Sequence, residues 1–136
     1  MRILVADDHA EVRKAVCAIL KSHEKVRVCF EAANGEDAVR MALRLRPDLV
    51  VLDIYMPVLD GLDAARKIRE QLPDLPILMI TTSPDAHLLE ISLEVGVQGF
   101  INKNELAEFL LPATESLLAK GTFFPQTEDD KHRKIR

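Results

Sequence analysis

Apolar residues in this chain fall into two kinds of block. Residues 2–6, 49–52 and 76–80 are nearly continuous apolar runs of strand length, each closed by a turn signal or a charged residue. Runs with no polar face suit strands buried on both sides of a parallel sheet. Between them the spacing turns helical. Val12, Ala15, Val16, Ile19 and Leu20 share one face, as do Ala38, Val39, Ala42 and Leu45, and then Leu62, Ala65, Ile68 and Leu72. A weaker run over 26–33 alternates imperfectly and ends at Asn34-Gly35, which reads as a second strand and a turn. A helix over about 85–95 stops at Gly96, a plausible C-cap, and 98–102 is a short fifth strand. The last helix is expected over 105–119, where Pro112 predicts a kink or an early break.

Five strand–helix units in alternation predict an α/β fold, a doubly wound five-stranded parallel sheet with helices on both faces. Right-handed crossovers leave few topologies open. A chain of 136 residues is enough for one such domain and one core, expected over 1–120. Residues 121–136 turn polar and charged without periodicity, and the expectation is a solvated tail with no output domain.

Composition narrows the class. The net charge of −4 gives no sign of a nucleic-acid surface, so no direct nucleic-acid binding by this chain is expected. No apolar run reaches membrane-spanning length, and Asp7 and Asp8 interrupt the only apolar segment near the start. Cys17 and Cys29 lack metal-ligand spacing and read as reduced thiols of a cytoplasmic protein.

The chemistry gathers where the strands end. In an open α/β sheet the carboxyl ends of the strands form one rim, and ligands bind there. Strand one delivers Asp7 and Asp8 to it, strand three Asp53, strand four Thr81 and strand five Lys103. Three carboxylates so placed repel one another, and a hard divalent cation such as Mg2+ compensates them while keeping water for a phosphate. Lys103 adds a point charge that can pair with Asp53 or a phosphoryl oxygen, and Thr81 a hydroxyl donor. Acceptor, metal, cation and donor together describe phosphoryl transfer. Each residue also has a plainer role: Asp8 can cap the first helix, Asp60 before Gly61 a turn and the third helix, and a lone lysine can be a solvated charge. Capping does not explain acids on two strands together with a lysine on a third.

Asp7-Asp8, the run from Asp53 to Asp60-Gly61, the run from Pro76 to Thr81, and Gly99-Phe100-Ile101-Asn102-Lys103 resemble the motifs of the response-regulator receiver (CheY-like) domain of two-component signalling. The resemblance covers about residues 2–119. Asp7-Asp8-His9, with Gly121-Thr122-Phe123-Phe124 after the last helix, is similar to the NarL/FixJ subfamily, whose receivers precede a LuxR-type output domain. The resemblance implies strand order 2-1-3-4-5 and a phospho-accepting switch, either a stand-alone receiver or a fragment of a longer transcriptional regulator. Asp53 would take a phosphoryl group from the phosphohistidine of a sensor histidine kinase. Asp8, Asp53 and the Tyr55 backbone carbonyl would bind Mg2+ directly, with Asp7 holding the metal or its waters. Lys103 and Thr81 would stabilise the phosphoryl group. Thr81 and Phe100 would form the switch, read on the face of helix 4, strand 5 and helix 5 by a second copy of the chain or a downstream protein. Three positions limit what the resemblance carries over: Thr82 stands where a small residue is frequent, Asn104 where many receivers have Pro, and Tyr55 where water or a phosphatase would approach; the switch aromatic is Phe100, where Tyr is common.

Three other readings compete. A metal-dependent phosphatase also places Asp at a strand end, but typically needs a second Asp two residues on, and Tyr55 stands there. A nucleotide- or flavin-binding module needs a glycine-rich phosphate loop, and the glycines at 35, 61, 96, 99 and 121 are scattered. A receiver-like module that works only by protein contact has no need of the acidic pair, Thr81 and Lys103. Receivers act on themselves alone, through self-phosphorylation and self-dephosphorylation, so the expectation is a switch and not an enzyme.

Overall fold

The computed structural model describes residues 1–125, so the tail's charge clusters at 128–130 and 133–136 lie outside the described residues. Strands and helices alternate as read from the sequence: β1 (Arg2–Ala6), α1 (Ala10–Lys21), β2 (Val28–Ala32), α2 (Gly35–Leu45), β3 (Leu49–Asp53), α3 (Gly61–Gln71), β4 (Ile77–Thr81), α4 (Ala86–Val95), β5 (Gly99–Asn102) and α5 (Leu106–Leu118). The sheet is wholly parallel, in the order β2-β1-β3-β4-β5.

The continuous apolar runs follow from this layering. Successive strand residues point to opposite faces. Leu4, Ala6, Val50, Leu52, Met79 and Phe100 enter one core with α2, α3 and α4. Ile3, Val5, Leu49, Val51, Ile80 and Ile101 enter the other with α1 and α5. Every residue of β3 and β4 is buried, and each large side chain so placed contributes about 1.5–3 kcal/mol. β2 is the edge strand beside β1 and is only half-buried, hence its irregular alternation. Cys17 is buried and Cys29 half-buried, with the Cys29 Sγ 4.0 Å from the Cys17 carbonyl oxygen.

Local signals set the helix ends. Asn34, Asp60 and Asp85 are N-caps, their side chains accepting from the amides of Asp37, Asp63 and Leu88. Gly96 ends α4 in the left-handed region at φ 93°, as the sequence suggests.

Two expectations need correction. α5 does not break at Pro112: it runs on to Leu118 after a 3-10 turn at Lys103–Glu105. Pro112 lies on the exposed side of the helix, where water can reach the carbonyl whose partner proline removes. Nor does a tail begin at Gly121. Phe123 forms a parallel bridge to Gly99, so the chain returns along the outer edge of β5.

Candidate functional site

Parallel register aligns the strand ends. Ala6 pairs with Leu52, Asp53 with Ile80 and Thr81 with Asn102, so Asp7, Asp53, Thr81 and Lys103 emerge on one edge. Asp7 is fully buried, and its amide extends the sheet by donating to the Ala32 carbonyl at 3.1 Å. Its own carbonyl accepts from Arg13 Nη1 at 2.8 Å, and Arg13 Nε also pairs with Glu31 at 3.0 Å. Asp8 does not cap α1; that position belongs to His9, which makes no side-chain capping bond. The Asp8 carboxylate is left to the site.

The centre is a buried ion triad. Lys103 Nζ lies 2.6 Å from Asp7 Oδ2 and 3.1 Å from Asp53 Oδ2. The lysine side chain is 8% exposed and the two carboxylates 0% and 4%. Asp53 Oδ1 faces the other way and accepts from the Tyr55 amide at 3.4 Å. Burial, then the charge of Asp7, pushes the Asp53 pKa above the ordinary carboxylate value, against the opposing pull of Lys103 and the Tyr55 N–H. Burial alone would lower the Lys103 pKa; its bonds to Asp7 and Asp53 reverse this and leave it raised, so the ammonium stays charged.

The donor set fits a hard cation. Ligand atoms of Asp7, Asp8, His9 and Asp53 lie within 4.8 Å of one another. Three carboxylates against one ammonium leave two negative charges, the complement of a divalent ion, and carboxylate oxygens suit hard cations. Among the described residues no protein donor meets the Tyr55 carbonyl. His9 is the member that sequence reasoning missed. Its Nδ1 lies 3.1 Å from Asp8 Oδ1 and 3.3 Å from Asp7 Oδ1, and its place directly after the acidic pair was the signal.

Thr81 is fully buried at the end of β4, and its Oγ1 accepts from the Ser83 amide at 3.2 Å. Phe100 is 1% exposed and sits in the core on the α4 side, two strand positions before Asn102. Asn104 has a use that proline could not serve: its amide donates to Asn102 Oδ1 at 2.9 Å, which shapes the turn carrying Lys103. Asp60 is confirmed as a cap of α3, outside the triad.

The loop between β3 and α3 fits tightly against the site. A Cβ on Gly61 would stand 2.0 Å from the Asp53 carbonyl oxygen, so no other residue fits there without moving the backbone of Asp53. Val58, β-branched, holds φ 71° in a three-residue turn closed by the Leu59 amide on the Pro57 carbonyl at 2.8 Å. Such conformations cost of order 1–3 kcal/mol and persist where surrounding contacts enforce them. Tyr55 projects from this loop with 57% of its surface exposed.

Residues 3–115 match the response regulator receiver domain. The chain belongs to that family. Among receiver-containing relatives, the transcriptional regulatory protein YdfI of Bacillus subtilis is 33% identical over 86% of this chain and 54% of its own length. The oxygen regulatory protein NreC of Staphylococcus epidermidis is 39% identical over 90% of this chain and 57% of its own length. The receiver described here thus spans about half the length of the curated relatives it matches. In structure it is similar to a two-component response regulator of the LuxR family from Aurantimonas sp. SI85-9A1, with a TM-score of 0.87 at 27% identity, covering 99% of this chain and 98% of that one. It is also similar to the response regulator domain of Thermotoga maritima CheB, with a TM-score of 0.81 at 28% identity, covering 88% of this chain and 96% of that one. No helix among the receiver's described residues is long and apolar enough to cross a membrane.

Proposed function

We propose that Asp53 is the phosphoryl acceptor of this receiver, taking its group from a phosphohistidine of a sensor histidine kinase. The observation that carries the reading is the single buried ammonium of Lys103 shared between Asp7 and Asp53. A structural ion pair needs one acid; a second buried acid beside it has a purpose when charge must be received there. An Asp53 carboxylate oxygen attacks phosphorus, the histidine nitrogen leaves with the electron pair of the broken P–N bond, and an aspartyl phosphate remains. Asp7, Asp8, Asp53 and the Tyr55 carbonyl would hold Mg2+, which when bound screens the repulsion between the carboxylate and the incoming phosphoryl oxygens. Lys103 neutralises a phosphoryl oxygen once the transfer is made, and the Thr81 hydroxyl donates to another.

On this reading the receiver is a stoichiometric switch and not an enzyme with turnover on other molecules. Its state is read on the face formed by α4, β5 and α5, by a second copy or a downstream protein. Incubation with acetyl phosphate and Mg2+ is expected to add one phosphoryl mass to the intact chain, and Asp53→Asn to abolish the gain. Equal labelling of Asp53→Asn would place the acceptor elsewhere and end this reading.

A further inference from the structure

After α5 the chain does not leave the domain. The Phe123 amide donates to the Gln98 carbonyl at 2.9 Å, and the Phe100 amide donates to the Phe123 carbonyl at 2.9 Å. These bonds lay residues 122–124 along the outer edge of β5, bridged to the five-stranded sheet at Phe123, where the edge would otherwise leave more of its backbone groups unpaired. Its side chains alternate as a strand's do. The Phe123 ring goes to the α5 side, 5.9 Å from that of Phe109. Phe124 goes to the α4 side and packs against the core that contains Phe100. Between this strap and the domain lies a cavity of about 440 Å3, walled by Pro84, Phe100, Phe109, Phe123, Phe124 and Pro125.

Two features separate the strap from a permanent strand. It pairs at a single bridge, whereas every other neighbouring pair of strands aligns four or five residues, so it is the element of the sheet that opens most easily. It also shares a wall with the acceptor site. The Thr81 hydroxyl oxygen holds the Ser83 amide, and the next residue, Pro84, lines the cavity under the strap. A Thr81 hydroxyl that swings toward a phosphoryl group to donate its hydrogen carries with it the oxygen that accepts from the Ser83 amide, and so displaces Ser83-Pro84. That displacement shifts one wall of the cavity that the strap also lines.

The geometry points to residues 122–124 as a displaceable strand whose docking on the edge of β5 is coupled to phosphoryl capture at Asp53, which loosens it. The inference rests on the Asp53 reading. It gives that reading an output element, residues 122–124 themselves.

Amide hydrogen exchange on the full chain tests it, with and without Mg2+ and beryllofluoride as the acyl-phosphate mimic. The Tyr55 amide, bonded to Asp53, reports occupancy of the site. The Phe100 and Phe123 amides, whose bonds hold the strap, report docking. The expected result is a response at Tyr55 together with exchange about tenfold faster at Phe100 and Phe123. A response at Tyr55 with unchanged exchange at the other two overturns the coupling and leaves Asp53 as acceptor. No response at Tyr55 overturns both. Because coupling is reciprocal, Phe124→Ala is expected to bind beryllofluoride more tightly than the wild-type chain, and equal affinity overturns the coupling.

Discussion

Asp53 and Asp7 share one buried ammonium, and that imbalance has a thermodynamic signature. Because the Asp53 pKa is raised, the folded chain holds this proton more tightly than the unfolded chain does. The associated stability is therefore full below the ordinary value of 3.8 and is lost as pH rises through the folded pKa. Asp53→Asn removes the buried repulsion and leaves Lys103 its pair with Asp7. We expect this variant to be more stable than wild type by on the order of 1 kcal/mol near neutral pH, with the gap closing toward about pH 4, as read by urea titration at both pH values. The sequence showed Asp7 and Asp53 because each follows an apolar run of buried-strand character, and Lys103 because it closes the short fifth strand. It left open whether Asp8 caps the first helix; the structure gives that position to His9.

Among the helices, α3 carries a device that no pattern revealed. Arg69, in its last turn, donates through Nη1 to the carbonyls of Leu72, Pro73 and Leu75 at 3.2, 2.9 and 2.7 Å. Through Nη2 it reaches the Gly96 carbonyl at 3.0 Å and Gln98 Oε1 at 2.9 Å, and Gln98 in turn accepts from the first amide of β4, that of Ile77. One guanidinium thus ties the end of α3 to the start of β4 and the end of α4, and burial lowers its pKa from the usual arginine range. Arg69→Met is expected to cost about 2–4 kcal/mol in urea titration, since it strands several acceptors at once, and Arg69→Lys is expected to recover little of it, because a compact ammonium lacks the fork. From the sequence this residue is one more charge on a polar helix face. The elements themselves were legible where burial was complete, as in β1, β3 and β4, and blurred where it was partial, as at β2, whose start falls at Val28 rather than near Val26. The strap was missed because one bridge and two rings impose no periodicity.

At the scale of the whole molecule, the site exists only when the ends of β1, β3, β4 and β5 are in place together. A ligand that binds there holds the global fold, not a local loop. Mg2+ at ten times its dissociation constant is expected to stabilise the chain by about 1.4 kcal/mol, visible as a rise in Tm that Asp8→Asn abolishes, whereas a Tm unmoved by Mg2+ would count against the acidic cluster as a metal site. Asp7 and Lys103 stand 2.6 Å apart in space, although nearly the entire domain separates them along the chain. For a chain emerging from the ribosome this sets an order of events. Asp53 is synthesised midway, but the amine that balances it comes close to last, so a half-made receiver carries the acids without their counter-charge. On the proposed reading, competence to accept a phosphoryl group arrives in one step, when β5 docks and brings Lys103 to the acids, and a chain clipped before β5 is expected to take up no label.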